Sequence, residues 1–76
     1  MNRKELIDEI AERFGGNRDV AAQALDSVVD VITRSLTAGE KVVITGFGAF
    51  ERTVREAGER GRTYLPAFRP GKELRE

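Results

Sequence analysis

The run Gly46-Phe47-Gly48-Ala49-Phe50 directly follows the apolar, β-branched run Val42-Val43-Ile44. Because glycine has no Cβ, a glycine on each side of an aromatic residue allows a tight turn and lets the backbone approach another surface closely. The pattern predicts a strand at residues 41–45, a turn at 46–48, and a second strand from 49 to about 56.

The C-terminal third predicts a third strand and a short helix. Residues 57–62 are polar and rich in glycine, which indicates a loop or hairpin tip. Thr63-Tyr64-Leu65 has strand character up to Pro66, which cannot donate to a ladder and therefore marks an edge strand or a strand end. Pro70-Gly71 predicts a turn, and residues 72–76 can begin a helix that is too short to hold without packing.

The first forty residues predict two helices. Asn2 can cap a helix beginning near Arg3, Gly15-Gly16 ends it, and Asn17 can cap a second helix that Gly39 ends. The second helix is apolar on more than one face, so it should be buried on two sides, one against the first helix and one against a second copy. Its apolar residues are Val20, Ala21, Ala24, Leu25, Val28, Val29, Val31, Ile32 and Leu36.

Length and composition favour an oligomer. The chain has 76 residues with no cysteine and no histidine, so neither disulfides nor thiolate-bound metals can stabilise it. A domain this small buries only ~60% of its unfolded surface, and oligomerisation is the remaining remedy. No apolar run approaches the ~20 residues of a membrane span, and no signal-peptide pattern is present. We therefore expect a cytoplasmic dimer that does not bind membranes.

The charges are unevenly distributed although they balance overall. Residues 1–40 carry five basic and eight acidic side chains, whereas residues 41–76 carry eight basic and five acidic ones. Such a split is a weak indication of a surface that binds a polyanion. On charge alone, an ordinary soluble surface of mixed charge is the favoured explanation.

Catalysis is not expected. The commonest general base and nucleophile, histidine and cysteine, are missing, and Ser27 and Ser35 lie within the second predicted helix without an activating partner. Gly46-Phe47-Gly48 is not a dinucleotide-binding fingerprint, because Glu51 occupies the third glycine position and no helix follows. The sequence thus predicts neither an enzyme nor a site for a cofactor, metal or small-molecule substrate.

The basic residues of the second half are the better indication of function. Arginine forks match phosphate oxygens, which favours nucleic-acid binding, although the same residues can simply solubilise the sheet by pairing with Glu51, Glu56, Glu59 and Glu73. On an alternating strand Arg52 and Arg55 face opposite ways. The aromatic residues Phe14, Phe47, Phe50 and Phe68 lie at apolar positions and are expected in the core. The basic set is Arg52, Arg55, Arg60, Arg62, Arg69, Lys72 and Arg75.

Three segments together resemble the bacterial HU and integration host factor family of histone-like DNA-binding proteins. They are Met1-Asn2-Arg3-Lys4-Glu5-Leu6-Ile7, Val43-Ile44-Thr45-Gly46-Phe47-Gly48-Ala49-Phe50, and Leu65-Pro66-Ala67-Phe68-Arg69-Pro70-Gly71-Lys72-Glu73-Leu74. The resemblance covers nearly the whole chain, including the helical hairpin, and its motifs are specific.

The resemblance implies an α+β fold and an intertwined dimer. Residues 1–76 would form a single domain, with a helical hairpin at 1–40 for dimerisation and a three-stranded antiparallel β-saddle, arm and short helix at 41–76. In this family each arm reaches into the minor groove of double-stranded DNA, and a proline at its tip kinks the duplex. Binding rests mostly on phosphate contacts and has little sequence preference. A homodimer in the nucleoid is implied, although the integration host factor branch is heterodimeric.

The resemblance fails at the arm. Between Arg62 and Thr63 the family has a further stretch that includes the Asn-Pro of the wedge, and Pro66 and Pro70 do not match that proline. Either the hairpin is short, or the arm is omitted from the sequence, as happens with mobile loop tips. A short hairpin predicts weak, salt-sensitive binding with little bending.

The family motifs and the basic cluster give two sets of candidate residues. The DNA-binding candidates are Arg3, Gly46, Phe47, Gly48, Arg52, Arg55, Arg60, Gly61, Arg62, Arg69, Lys72 and Arg75. The dimer-core candidates are Leu25, Val28, Val29, Ile32, Leu36, Ile44, Phe47, Phe50 and Phe68. The alternatives are a dimeric scaffold with little DNA affinity, expected to pair its arginines with carboxylates, and an RNA-binding protein.

Overall fold

The computed structural model describes residues 1–56 and 58–75, with only the backbone of Arg60. Its elements are α1 (Arg3–Glu12), α2 (Arg18–Thr37), β1 (Val42–Ile44), β2 (Gly48–Glu56), a 3₁₀ turn (Gly58–Arg60), β3 (Arg62–Pro70) and α3 (Lys72–Arg75). The chain divides into two compact units, Met1–Val31 and Ile32–Glu76. No helix in the described residues is both long enough and apolar enough to span a membrane.

Both long helices begin at the predicted asparagine caps. The Asn2 side chain accepts a hydrogen bond from the backbone N–H of Glu5 at 2.8 Å, and Asn17 accepts one from that of Val20 at 3.1 Å. Each bond satisfies an N–H that has no partner within its helix. The prediction of the two helix starts is confirmed.

The end of α2 is fixed by Gly39, as predicted. Gly39 has a φ of +83°, its N–H donates to Leu36 O at 3.0 Å, and the N–H of Glu40 donates to Ser35 O at 2.8 Å. This pair of bonds is a Schellman motif, which needs a residue in the left-handed region and therefore favours glycine. α1 ends at Glu12, slightly before the predicted Gly15-Gly16.

The sheet is antiparallel in the order β1-β2-β3. β3 is longer than predicted, because it continues through Pro66, opposite Arg52, to Pro70, opposite Gly48. The expectation that Pro66 ends the strand is therefore wrong, and its alternative, an edge strand, is confirmed. An edge strand tolerates proline because one side of its ladder has no partner strand.

The register defines two faces of the sheet, since residues directly opposite each other point to the same side. One side, the aromatic face, carries Val42, Ile44, Phe50, Arg52, Val54, Tyr64, Pro66 and Phe68. The other side, the Glu51 face, carries Val43, Ala49, Glu51, Thr53, Arg55, Thr63, Leu65, Ala67 and Arg69. Arg52 and Arg55 therefore do face opposite ways.

Each unit has its own small apolar cluster. In Met1–Val31 the buried residues are Ile7, Ala11 and Ala21. In Ile32–Glu76 three phenylalanines pack together, with ring centroids 4.9 Å apart for Phe50 and Phe68 and 5.3 Å apart for Phe47 and Phe68. Phe14 is 49% exposed, so its predicted place in the core is wrong for the single chain.

Candidate nucleic-acid interface

The turn at Gly46, Phe47 and Gly48 is tied to the start of α3. The N–H of Gly71 donates to Phe47 O at 2.7 Å, and that of Glu73 donates to Gly46 O at 3.2 Å. A Cβ at Gly48 would lie 2.6 Å from the carbonyl oxygen of Arg69 and from the Phe68 ring. The close approach that the two glycines predicted is therefore made to β3 and α3 of the same chain.

A shallow groove of about 340 Å³ lies beside this turn. Gly46, Gly48, Arg69 and Gly71 are among the residues that line it. Phe47 instead belongs to the phenylalanine cluster. The two glycines and Arg69 thus come together as DNA-binding candidates, while Phe47 fits the dimer-core set better.

Glu51 lies between two cations on its face of the sheet. Its Oε1 forms an ion pair with Arg69 Nε, and its Oε2 lies 4.0 Å from Lys41 Nζ. The Glu51 side chain is 20% exposed, whereas that of Arg69 is 75% exposed. For Arg69, the pairing with a carboxylate is therefore the one that the scaffold alternative predicts.

Arg52 belongs to a different environment from the other candidates. Its guanidinium carbon lies 4.2 Å from the centre of the Tyr64 ring, and its Nη1 donates to Thr37 O at 3.3 Å. Thr37 is the last residue of α2, where carbonyl groups lack helical partners and the helix dipole favours a cation. Arg52 thus stabilises a helix end on the aromatic face, away from Arg55 and Arg69.

Besides Arg52, four DNA-binding candidates of the second unit have no carboxylate within 4 Å among the described residues: Arg55, Arg62, Lys72 and Arg75. Arg55, on β2, lies on the Glu51 face opposite Thr63 of β3. Arg62, on β3, lies on the aromatic face opposite Glu56 of β2. Lys72 and Arg75 are on α3. The side chain of Arg60 lies outside the described residues.

Arg3, the candidate in the helical unit, is in an ion pair. Its Nη2 lies 2.6 Å from Asp26 Oδ1, and both side chains are more than half exposed. A second exposed pair in this unit joins Arg18 and Asp8. Such exposed pairs contribute ~0–1 kcal/mol to stability, so they hold these arginines only weakly.

The β2–β3 hairpin is short and continuous. Glu56 pairs with Arg62, and the turn between them includes Gly58 and Gly61, with φ of +61° and +79°. The N–H of Gly61 donates to Gly58 O at 3.1 Å. Arg62 and Thr63 are consecutive within β3, so these 76 residues form a short hairpin, and the choice between a short arm and an omitted one stays a prediction.

The dimer-core candidates keep much apolar surface accessible in the single chain. None of the nine is buried. Five of them are at least 40% exposed: Val28, Val29, Ile44, Phe47 and Phe68. This accessible surface is what a partner copy would cover, so the dimer core stays a prediction supported by these exposures.

Sequence reasoning missed the arrangement at Glu51 and did not single out Lys41. The register of the strands brings Lys41 to Glu51: continuing the β1–β2 pairing by one residue from the Val42–Phe50 pair places Lys41 opposite Glu51. Arg69, on β3, lies opposite Ala49 and is therefore diagonal to Glu51. The register itself depends on long-range strand pairing, which no local pattern supplied.

The whole chain, residues 1–76, matches the family model described as bacterial DNA-binding protein. The chain therefore belongs to this bacterial DNA-binding protein family, and the resemblance seen in its motifs is confirmed. Several of its relatives are HU proteins. The HU protein of Geobacillus stearothermophilus is 42% identical, and the match covers all of this chain and 97% of the relative.

Two further comparisons bear on fold and length. The fold matches that in a cocrystal structure of Anabaena HU with DNA, with a TM-score of 0.81, 30% identity, and coverage of 100% of this chain and 95% of the other. The HU 2 protein of Streptomyces coelicolor is 40% identical over all of this chain, which spans only 39% of that relative's length. The predicted α+β fold is confirmed.

The alignment with the Geobacillus protein also bears on the arm. It spans 89 residues, while this chain has 76, so at least 13 aligned positions have no residue here. That difference agrees with the stretch missing between Arg62 and Thr63.

Proposed function

We propose that this chain is an architectural protein of the bacterial nucleoid that binds double-stranded DNA as a homodimer. Membership of the bacterial DNA-binding protein family over all 76 residues carries this proposal. The likeness to Anabaena HU, which was crystallised with DNA, supports it. The family is not enzymatic, and the chain acts by holding DNA rather than by changing it chemically.

The chemistry of the sheet unit supports phosphate binding. Arg55, Arg62 and Lys72 have exposed side chains with no carboxylate within 4 Å in the described part of the chain. Each can neutralise one phosphate and release a counterion, which makes affinity depend on salt and little on sequence. Arg69 joins these residues when phosphate displaces its weak ion pair, and Gly46 and Gly48 line the neighbouring groove. Arg3 is a separate candidate in the helical unit, where its exposed ion pair with Asp26 is equally easy to displace.

The scaffold alternative has less support. It requires most of the candidate cations of the sheet to pair with Glu51, Glu56 or Glu73, whereas among the described residues only Arg69 does so. The neutral net charge of the chain favours this alternative. The second half of the chain nevertheless has more basic than acidic residues. DNA binding is therefore the function that the geometry supports best.

The short hairpin sets the mode of binding. The family's arm reaches the minor groove and its proline wedges between base pairs, but here β2 and β3 meet through the turn at Gly58–Arg60. The body of the dimer then makes the phosphate contacts without a wedge. We expect weaker binding than that of an armed relative, and little bending.

The first experiment is a titration of a fluorescent duplex with the 76-residue protein at several salt concentrations, followed by anisotropy. Each neutralised phosphate contributes about −0.9 to the slope of log K against log salt, so several contacts give a slope of about −3 or steeper. A matched single-stranded RNA reports on RNA binding. Failure to bind the duplex at the lowest salt concentration would reject the proposed function.

A further inference from the structure

We propose that Glu51 is a built-in restraint on DNA affinity, because it holds Lys41 and Arg69 in competition with DNA phosphates. This inference rests on the proposed function and adds to it a residue that sets the strength of binding. Glu51 is not among the expected DNA contacts, since its carboxylate repels phosphate.

The three residues form a row across the sheet. Glu51 is on the central strand β2, Arg69 is on the edge strand β3, and Lys41 immediately precedes the other edge strand, β1. Each cation contacts a different carboxylate oxygen, Arg69 contacting Oε1 and Lys41 lying 4.0 Å from Oε2. One carboxylate thus reduces the charge of this row from two positive charges to one.

The exposures show which members of the row can reach a ligand. The side chains of Arg69 and Lys41 are 75% and 56% exposed, whereas that of Glu51 is 20% exposed. The cations can therefore swing toward a phosphate while the carboxylate stays in the sheet surface. A phosphate that approaches either cation meets the fixed negative charge a few ångströms away, which opposes binding.

The strength of the restraint follows from what exposed ion pairs are worth. Such pairs are weak, so DNA can displace them, and removing the carboxylate should tighten binding by roughly fivefold to tenfold rather than by orders of magnitude. Each cation freed from Glu51 can also neutralise a further phosphate, which releases a counterion condensed on the DNA. The salt slope of a dimer should therefore become steeper by about one to two.

The test compares Glu51→Gln with Glu40→Gln in the full chain. Both substitutions remove one negative charge, and Glu40 is adjacent to Lys41 in sequence but outside the row. Duplex affinity and salt slope are measured for both variants and for the unmodified protein, and thermal melting shows that each remains folded. We expect Glu51→Gln to bind at least fivefold more tightly with a steeper slope, and Glu40→Gln to change affinity less than twofold.

A double-mutant cycle with Arg69→Gln separates the ion pair from a general effect of charge. In the Arg69→Gln background the gain from Glu51→Gln should shrink to about half on a logarithmic scale, because Lys41 alone remains to be freed. Equal effects of Glu51→Gln and Glu40→Gln, or weaker binding by Glu51→Gln, would overturn the inference while leaving DNA binding intact. If no variant binds the duplex at the lowest salt, the proposed function fails and this inference fails with it.

Discussion

Two arginines three positions apart on β2 have different surroundings. Arg52 packs over Tyr64 and reaches Thr37 O at the end of α2, whereas Arg55 lies on the Glu51 face with no carboxylate within 4 Å in the described chain. Strand alternation predicts their opposite orientation. It does not predict that α2 ends beside one of them, because that contact joins residues far apart in the sequence.

Replacing each arginine by alanine should therefore have different effects. Arg52→Ala removes a cation from a helix C-terminus and a cation–π contact, each worth ~0.5–1 kcal/mol at an exposed site, so the free energy of unfolding should fall by about 1–2 kcal/mol. Arg55→Ala should change it by less than about 0.5 kcal/mol. It should weaken duplex binding instead, and should reduce the salt slope by about one for each copy.

Urea denaturation and duplex titration of both variants provide the measurements. Arg52→Lys is the matched control, since it keeps the charge but loses the planar group that stacks on Tyr64. If Arg52→Ala loses DNA affinity without losing stability, then Arg52 contributes to DNA binding rather than to the stability of the fold.

At the scale of elements, the two long helices and the existence of the third strand could be predicted, but the length of that strand could not. The caps at Asn2 and Asn17 and the Schellman end at Gly39 are local signals that act within one turn of helix. The extent of β3 beyond Pro66 depends on its position at the edge of the sheet. The ion pair of Glu51 with Arg69 likewise depends on register, so this part of the site could not be derived from periodicity.

In the proposed function, the hairpin is the element that we expect to determine how the DNA responds. With Glu56 opposite Arg62 and the turn at Gly58–Arg60, the chain has neither the reach nor the proline to unstack a base step. We expect end-to-end energy transfer across a doubly labelled duplex to change little at saturating protein. The HU protein of Geobacillus stearothermophilus, whose alignment has 13 positions with no residue in this chain, should bend the same duplex strongly.

A graft gives the matched control. Inserting the relative's additional segment between Arg62 and Thr63 should tighten binding and increase bending, because it extends both strands of an existing hairpin. Strong bending by the unmodified chain would mean that the body alone deforms DNA, contrary to this account of the hairpin.

At the scale of the whole molecule, the apolar surface left accessible by one chain requires a partner. The only buried apolar side chains among the described residues are Ile7, Ala11 and Ala21, too few to stabilise a domain of this size alone. The predicted dimer-core residues on α2 are related by spacings of three, four and seven, apart from the adjacent pair Val28 and Val29, so they share one broad face of the helix. A second copy of this face is the natural cover, and it would also double the number of phosphate contacts.

A charge on that face should separate the dimer. Val28→Glu places a carboxylate at a predicted contact that is 53% exposed in the single chain, whereas Val31→Glu alters a residue that is 59% exposed and outside the dimer-core set. Burying an unpaired charge at an interface is costly. Val28→Glu should therefore give monomers in sedimentation, a lower melting temperature, and loss of duplex binding.

Val31→Glu should leave the dimer intact. In the unmodified protein, the melting temperature should rise with protein concentration, because folding is linked to association. If both variants sediment as dimers and melt alike, the partner covers another surface and the predicted dimer core is wrong. If Val28→Glu is a folded monomer that binds DNA as tightly as before, then dimerisation does not contribute to affinity. Each outcome distinguishes the role of the α2 face from that of the basic residues on the sheet.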